Sequence, residues 1–317
     1  PRCEALALVE AFSTRFSEVE FLEQCLIVET EGLDVEALGL RLAMTHRIIE
    51  VLAVCPADLE ALAEAASCLQ LPPKKYLIRA RRIRDSAPPA DAVEHEVGKI
   101  LFRRGYRADL SHPELLLRAI ITSGRIVLGV EVARTDRSSF EMRRPHLKPF
   151  FHPGVLMPRM ARALVNLTQV RAGEVLLDPF AGTCGILIEA CLIGVNGVGI
   201  EVQPRLVNGA LCNLQDLDCS LLLGDAKRLP LKESSIDAAV LDTPYGRSAK
   251  IMAASKELLL KESLGELYRV IRPGRRMAIV ADRSIEEMIE EVGFVLLQKH
   301  TDRVHRSLTR QIFICGR

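Results

Sequence analysis

The sequence predicts an α/β protein whose second half is a mostly parallel, doubly wound sheet with a C-terminal antiparallel hairpin, preceded by a smaller α+β region. Three observations predict it. From about residue 160, short apolar runs alternate with helix-length amphipathic stretches, the rhythm of parallel strands joined by crossover helices. That rhythm ends in FVLLQKH…TRQIFICG, two strand-like runs with no helix between them, so the last strand runs antiparallel. Before residue 160 the pattern is broken twice, by LPP at 71–73 and by MRRPHLKPFFHPGVLMP at 142–158. The second stretch holds four prolines and reads as a linker or structured loop rather than a helix.

With 317 residues, 49% apolar and 26% charged, the chain is large enough for two soluble domains with substantial cores. No apolar run is long enough to cross a bilayer. The opening residues carry no secretory signal, which points to a cytoplasmic protein without a membrane partner. The nine cysteines are scattered, with no CxxC and no Cys/His cluster at zinc spacing. They are expected to be unpaired small apolar residues in a reducing compartment, with no metal. The net charge of +1 conceals an asymmetry. Residues 1–70 hold 4 Lys/Arg against 13 Asp/Glu, residues 71–150 hold 17 against 9, and residues 151–317 hold 21 against 19. One basic block between acidic and near-neutral ones suggests a polyanion as its partner.

In order, RCEALALVEAF (2–12) reads as an amphipathic helix, FLEQCLIVET (21–30) as a strand and VEALGLRLA (35–43) as a helix. HRIIEVLAV (46–54) follows as a strand and DLEALAEAASCL (58–69) as a helix. A ferredoxin-like unit opens on a strand. Residues 1–70 are therefore expected to be a partial unit of that kind, with a short N-terminal stretch ahead of it. KKYLIRARRI (74–83) is strand-like, AVEHEVGKILFRRG (92–105) is a helix ending at Gly105, and ELLLRAIITSGRIVLGVEVA (114–133) is a hairpin turning at SGR. Lys74, Lys75, Arg79, Arg81, Arg82 and Arg84 lie on one strand-like run, and Arg103, Arg104 and Arg107 at a helix end. Such groups contact phosphates and position a nucleic acid without reading its bases.

In open α/β sheets, ligands bind beyond the carboxyl ends of the strands. Asp178, Glu201, Asp225 and Asp242 follow four successive strands there, in LLDPFAGTCG, GIE, GDA and LDTPYG. Ala181, Gly182 and Gly185 let the first loop turn tightly, so that backbone can approach a ligand. The fingerprint GxGxxG is absent, which weakens a dinucleotide reading. Glu201, 23 residues after Asp178, can accept both hydrogens of a ribose diol, and Asp225 can accept from an adenine amino group. Together these describe a site for an adenosine ligand without a pyrophosphate cradle, which S-adenosylmethionine fits better than NAD does.

These same stretches carry a resemblance. DPFAGTCG, GIE, GDA and DTPYG resemble the ordered motifs of class I S-adenosylmethionine-dependent methyltransferases, whose fold is Rossmann-like. DTPYG resembles the [D/N]-P-P-[Y/F] motif of enzymes that methylate exocyclic amines, with Thr243 where the first Pro usually stands. RRPHLKPFFHPGVLMPRMARALVNL (143–167) resembles the linker of the archaeal and eukaryotic tRNA guanine-N2 methyltransferases that act at position 10. The resemblance spans nearly the whole chain. It implies a partial ferredoxin-like domain over 1–70, a THUMP domain over 71–140 that holds the 3′ end of tRNA, a linker over 141–158 and a methyltransferase domain over 159–317. It implies cofactor contacts from Phe151 and His152, from Asp178, Phe180, Ala181, Gly182, Thr183 and Gly185, and from Glu201, Asp225 and Ala226. His152 reads equally well as a structural loop residue. A small activating protein subunit is a further implied partner, and DNA is not.

The lone pair of guanine N2 is delocalised into the ring, so two acceptors on its N–H groups would favour a tetrahedral nitrogen aimed at the methyl. The Asp242 carboxylate is expected to be one acceptor and the Thr243 backbone carbonyl the other. Pro244 stiffens the turn, and Tyr245 stacks on the extruded base. On this reading the site needs the carbonyl of Thr243 and not its side chain. Orientation and electrostatics supply the catalysis, and one or two methyl groups are transferred. Other readings stay open at this point. They are a non-catalytic tRNA-binding partner protein, an amino-methyltransferase acting on another tRNA guanosine or on DNA, and an NAD-dependent oxidoreductase.

Overall fold

The computed structural model describes residues 1–243, 253–305 and 308–317. Apolar periodicity and a few polar caps build the N-terminal region. Helix α1 (Arg2–Phe12) is followed by strands β1 (Arg15–Leu22) and β2 (Cys25–Glu31), then by α2 (Val35–Arg41), β3 (Arg47–Pro56) and α3 (Leu59–Cys68). Asp34 and Asp58 start α2 and α3 by accepting the backbone N–H of Ala37 and Ala61 at 3.0 and 2.8 Å, the usual way to satisfy an orphan donor. Strand β4 (Tyr76–Arg82), α4 (Ala90–Arg103), and the hairpin β5 (Leu115–Thr122) and β6 (Arg125–Arg134) complete the region.

These strands form a four-stranded sheet in the order β3-β6-β5-β4, with only the β4/β5 pair parallel. Helices α3 and α4 cover one face, packing Leu62, Val93, Val97 and Leu101 on Tyr76, Ile78, Leu117 and Ala119. The sheet takes β3 from before residue 70 and the other strands from after it, so the boundary expected at 70 falls inside one folded unit. A second correction concerns 21–30. The single strand expected there is a β1/β2 hairpin turning at Glu23 and Gln24, with Gln24 at φ +57°. The turn lacks the usual Asn-Gly or Asp-Gly signal, which hides it in the sequence. Tertiary bonds hold its tip instead: Glu23 N–H donates to Ser123 Oγ at 3.1 Å and Thr122 Oγ1 donates to Glu23 C=O at 2.8 Å.

Residues 137–158 hold a short helix, α5 (Arg137–Met142), a single 3-10 turn at 145–147 and otherwise irregular backbone. The C-terminal region follows: α6 (Pro158–Leu167), β7 (Val175–Asp178), α7 (Gly185–Cys191), β8 (Asn196–Glu201), α8 (Pro204–Asn213), β9 (Cys219–Leu223) and β10 (Ile236–Asp242). It closes with α9 (Ala253–Val270), β11 (Ile271–Ala281), α10 (Glu286–Val292), β12 (Val295–His305) and β13 (Leu308–Gly316). The seven strands lie in the order β12-β13-β11-β10-β7-β8-β9, parallel except where β13 meets β11 and β12. Both faces are covered, as parallel strands require. Ala238 and Val240 of β10 face α6 and α7, while Ala239 and Leu241 face α9 and α10. Among the described residues no helix is long and apolar enough to cross a membrane.

The cysteines need one correction. Cys191, at the end of α7, and Cys219, at the start of β9, are joined in a disulfide. Parallel pairing sets Cys219 beside Gly197, whose missing side chain makes the room; a Cβ there would lie 3.0 and 3.1 Å from the two sulfurs.

The two regions meet at a buried polar junction. Glu4 of α1 accepts the N–H groups of Ala43 and Met44 at 2.9 and 2.8 Å and the Asn166 Nδ2 of α6 at 2.7 Å. Arg41 donates to Asn166 Oδ1 at 3.3 Å and to Val170 C=O at 2.8 Å. Behind α6, Glu189 takes both Arg143 and Arg162. A buried network this well satisfied fixes relative orientation, because any slip would strand a buried charge.

Candidate active site

Strand order gathers the acids. The chain runs β7, β8, β9 to one side and then crosses back to place β10 against the other side of β7, so the topological switch lies between β7 and β10. Along the carboxyl edge the acids therefore come in the order Asp242, Asp178, Glu201, Asp225. The first three end their strands, and Asp225 lies two residues past β9. All four sequence-predicted acids share this edge. Asp242 is half-buried and Asp178 is 1% exposed. Burial, with Asp242 and Glu201 close enough to add repulsion, pushes the Asp178 carboxyl up to about 8, although the Phe180 N–H bond opposes this. Asp178 accepts that N–H at 3.1 Å.

Glu201 shapes the loop after β7. Its Oε2 accepts Gly182 N–H at 3.0 Å and its Oε1 accepts Gln203 N–H at 2.9 Å. A carboxylate has about four lone-pair sites, so acceptor capacity remains for a ligand. The loop turns through two left-handed residues, Gly182 at φ +52° and Cys184 at φ +63°. A Cβ on Gly182 would meet nothing nearer than Phe180 O at 3.8 Å, so the space beside the loop is open. Ala181 and Thr183 are buried within the loop, and Gly185 opens α7. Asp225 is half-exposed; it accepts Lys227 N–H at 3.0 Å and faces Lys227 Nζ at 3.6 Å, with Ala226 buried behind it. The open loop, the acids beyond β8 and β9 and the absence of a glycine-rich phosphate turn fit an adenosine group better than a pyrophosphate.

Phe151 is half-exposed, and His152 Nδ1 lies 2.9 Å from Pro153 C=O. Their neighbours come close to the same loop through residues that sequence reasoning missed. Asn213 Nδ2 donates to Phe150 C=O at 2.9 Å and to Thr183 C=O at 3.2 Å. No motif contains Asn213, so no sequence signal pointed to it.

Thr243 also has a structural role. Its N–H and its Oγ1 both donate to Val280 C=O, at 3.0 and 2.9 Å, and the residue is buried. The hydroxyl and the N–H therefore tie the end of β10 to β11. Pro244 and Tyr245 lie outside the described residues.

The nine basic residues do not form one patch. Lys74, Lys75, Arg103, Arg104 and Arg107 gather where β4 begins, since Tyr76 N–H donates to Arg107 C=O at 3.0 Å and α4 ends there. Arg81, Arg82 and Arg84 lie at or just past its other end, about 20 Å away at the rise of a strand, with Arg79 midway along it. Lys75 pairs with Asp109 at 3.0 Å, Arg79 with Glu94 at 3.4 Å and Arg84 with Glu23 at 2.7 Å. Arg104 donates to Ala66 C=O at 3.1 Å. Lys74, Arg81, Arg82, Arg103 and Arg107 are exposed or half-exposed and make no ion pair among the described residues.

A parallel sheet of this strand order, with an antiparallel β13 inserted beside β11 and acids at four strand ends, defines a class I, Rossmann-like methyltransferase. Comparison with known proteins agrees. Residues 145–312 match the RMKL-like methyltransferase domain family. The whole chain aligns, at 33% identity and over 96% of the relative, with the tRNA (guanine(10)-N2)-dimethyltransferase of Methanothermobacter thermautotrophicus. Over 78% of the chain and 76% of the relative it is 28% identical to the tRNA (guanine(6)-N2)-methyltransferase of Thermus thermophilus. A solved structure of a possible methylase from Clostridium difficile shares the fold, with a TM-score of 0.56 at 16% identity over 99% of this chain and 95% of the other. The chain belongs to the THUMP-type tRNA guanine-N2 methyltransferase family.

Proposed function

We propose that the protein transfers methyl groups from S-adenosylmethionine to the exocyclic N2 of guanosine 10 in tRNA, giving the mono- and then the dimethylated base. One observation carries the reading: Asp242, Asp178, Glu201 and Asp225 stand in that order across the switch point, with the open Gly182 loop between the acids. S-adenosylmethionine, when bound, supplies an electrophilic methyl group. Glu201 and Asp225 would hold its ribose and adenine, and Asp178 with the 180–185 loop its amino-acid part. In the first transfer Asp242 accepts one N–H of the target amine and the Thr243 carbonyl accepts the other; in the second the single remaining N–H is left to one of the two acceptors, and in each the bond orients the nitrogen lone pair and steadies its developing positive charge. Tyr245 is assigned to stack on the extruded base.

The two basic clusters are proposed to take two stretches of tRNA phosphate backbone as parts of a THUMP domain, in the cytoplasm, with a small activating subunit as second partner. The buried Glu4–Asn166–Arg41 junction would hold those clusters at a fixed distance from the acids and so select the guanosine. The test is nucleoside mass spectrometry of a tRNA transcript methylated by the protein, beside one carrying G10→A. Loss of N2-methylguanosine and N2,N2-dimethylguanosine in the second transcript supports the reading. Undiminished methylation favours another guanosine, with position 6 the first to examine because of the Thermus relative. Protein that binds tRNA without methylating it, alone or with the subunit, would be a non-catalytic partner.

A further inference from the structure

We infer that Asn213 is a positioning residue for cofactor binding, acting by latching the segment that carries Phe151 and His152 against the loop after β7. The inference rests on the cofactor site proposed above. Asn213 is the last residue of α8. Its Oδ1 accepts Phe150 N–H at 3.0 Å, and its Nδ2 donates to Phe150 C=O at 2.9 Å and to Thr183 C=O at 3.2 Å. A primary amide has two donors and one acceptor group. Here it meets both backbone groups of one residue, which fixes the position and direction of the chain at Phe150. Its second acceptor lies on a separate segment, the cofactor loop.

Two packing contacts secure the same segment. The Phe150 ring lies on Gly209, one helical turn before Asn213; a Cβ at 209 would sit 2.4 Å from the ring. Val155 Cγ1 lies against Gly185, 3.2 Å from where a Cβ would stand. Phe151 and His152 thus sit between two fixed points, Phe150 and Val155, both tied to the loop or to the helix behind it. In this arrangement Asn213 touches no cofactor, and its effect passes through the 150–155 segment.

The experiment is calorimetric titration of the full chain with S-adenosylmethionine, using Asn213→Ala, Gly209→Ala, Phe151→Ala and the double variants of the first two with the third. We expect S-adenosylmethionine Kd to rise at least about fivefold in Asn213→Ala and in Gly209→Ala, with tRNA Kd within about twofold of the parent. In each double variant the combined loss should fall clearly short of the product of the single losses, because a released segment no longer delivers Phe151. A purely structural role would give the product. The latch is overturned if cofactor Kd stays within about twofold in the folded variants, or if the losses multiply. Should Asn213→Ala not fold, Gly209→Ala decides alone, since it displaces the same segment sterically. A parent protein that binds no S-adenosylmethionine overturns the functional reading as well; a binding parent with unchanged variants overturns the latch alone.

Discussion

The charges near β4 and the charges at the ends of β7, β8, β9 and β10 are opposites in more than sign. The first are largely exposed, several without an ion pair among the described residues, and they straddle a strand about 20 Å long. The second include Asp178 and Glu201, at 1% and 6% exposure, bound to backbone N–H groups that shape the loop. Exposed charge acts over a Debye length and is screened by salt, while buried charge acts over a few ångströms and answers to pH and to hydrogen-bond geometry. One region is therefore suited to capturing a polyanion and the other to orienting a small ligand and one base. Variants in the two regions should fail in different ways.

Asp242 should give the largest effect. Asp242→Ala is expected to bind S-adenosylmethionine normally while single-turnover methylation falls at least about 100-fold, the scale of losing a group aimed at developing charge. A variant that methylates tRNA within a few-fold of the parent would end its assignment to the target amine. Glu201→Ala should invert the pattern. It removes a ligand acceptor and also releases Gly182 and Gln203 N–H, and each charge-assisted bond is worth ~1.5–3 kcal/mol. We expect cofactor affinity to fall at least tenfold, with tRNA affinity unchanged; unchanged cofactor affinity in calorimetry would falsify the ribose assignment.

The basic clusters should respond to salt and not to cofactor. Alanine at Arg81, Arg82 and Arg84 should weaken tRNA binding and lower the slope of log K against log[salt] by ~0.7–0.9 for each phosphate that is no longer neutralised. Arg84 already pairs with Glu23, so it should contribute least of the three. An unchanged slope would make this end of β4 a solvated face and leave capture to Lys74, Arg103 and Arg107.

Asp178 supplies the pH test on the other side of the comparison. Its folded value, about 8, lies above the ordinary 3.8 of a carboxyl, with burial as the main cause. The folded state then keeps a proton that the unfolded chain releases, so its stabilising effect is full below about pH 4 and fades as pH rises toward 8. Asp178→Asn should flatten the fall in stability between pH 4 and 8, read from urea midpoints across that range. Parallel profiles for parent and variant would show that Asp178 titrates like an exposed carboxyl.

Much of the catalytic half was legible in the sequence, because buried parallel strands must be continuous apolar runs and the acids that end them stand out. Asp178, Glu201 and Asp242 could be read for that reason. What stayed hidden depends on contacts between segments far apart in the chain. The Glu23–Gln24 turn is held by Thr122 and Ser123, the Cys191–Cys219 bond needs Gly197, and Asn213 meets Phe150 only after folding. The run of basic residues 74–84 was legible as a strand, but the sequence does not show that Lys74 and Lys75 meet Arg103, Arg104 and Arg107 at one end of it while Arg82 and Arg84 stand at the other.

Thr243 gives the finest test, because it follows Asp242 directly and anchors the end of β10. From sequence, a Pro here would add rigidity more than chemistry, since Pro244 already biases residue 243 toward extended backbone. The paired bonds to Val280 C=O alter that expectation. Thr243→Val keeps the N–H and loses one buried hydroxyl bond, so it should cost about 1 kcal/mol of stability and leave methylation within about threefold. Thr243→Pro removes both donors and should cost about 1–3 kcal/mol, with a rate loss of up to about tenfold as Asp242 loses its anchored neighbour. Urea unfolding and single-turnover methylation of both variants read the two effects separately. If Pro matches Val in stability and rate, the N–H bond to Val280 is dispensable; if both also match the parent in rate, the reaction needs only the carbonyl of residue 243. If both variants lose far more than tenfold in rate with stability little changed, the hydroxyl reaches the reacting amine, and Asp242 shares its role with Thr243.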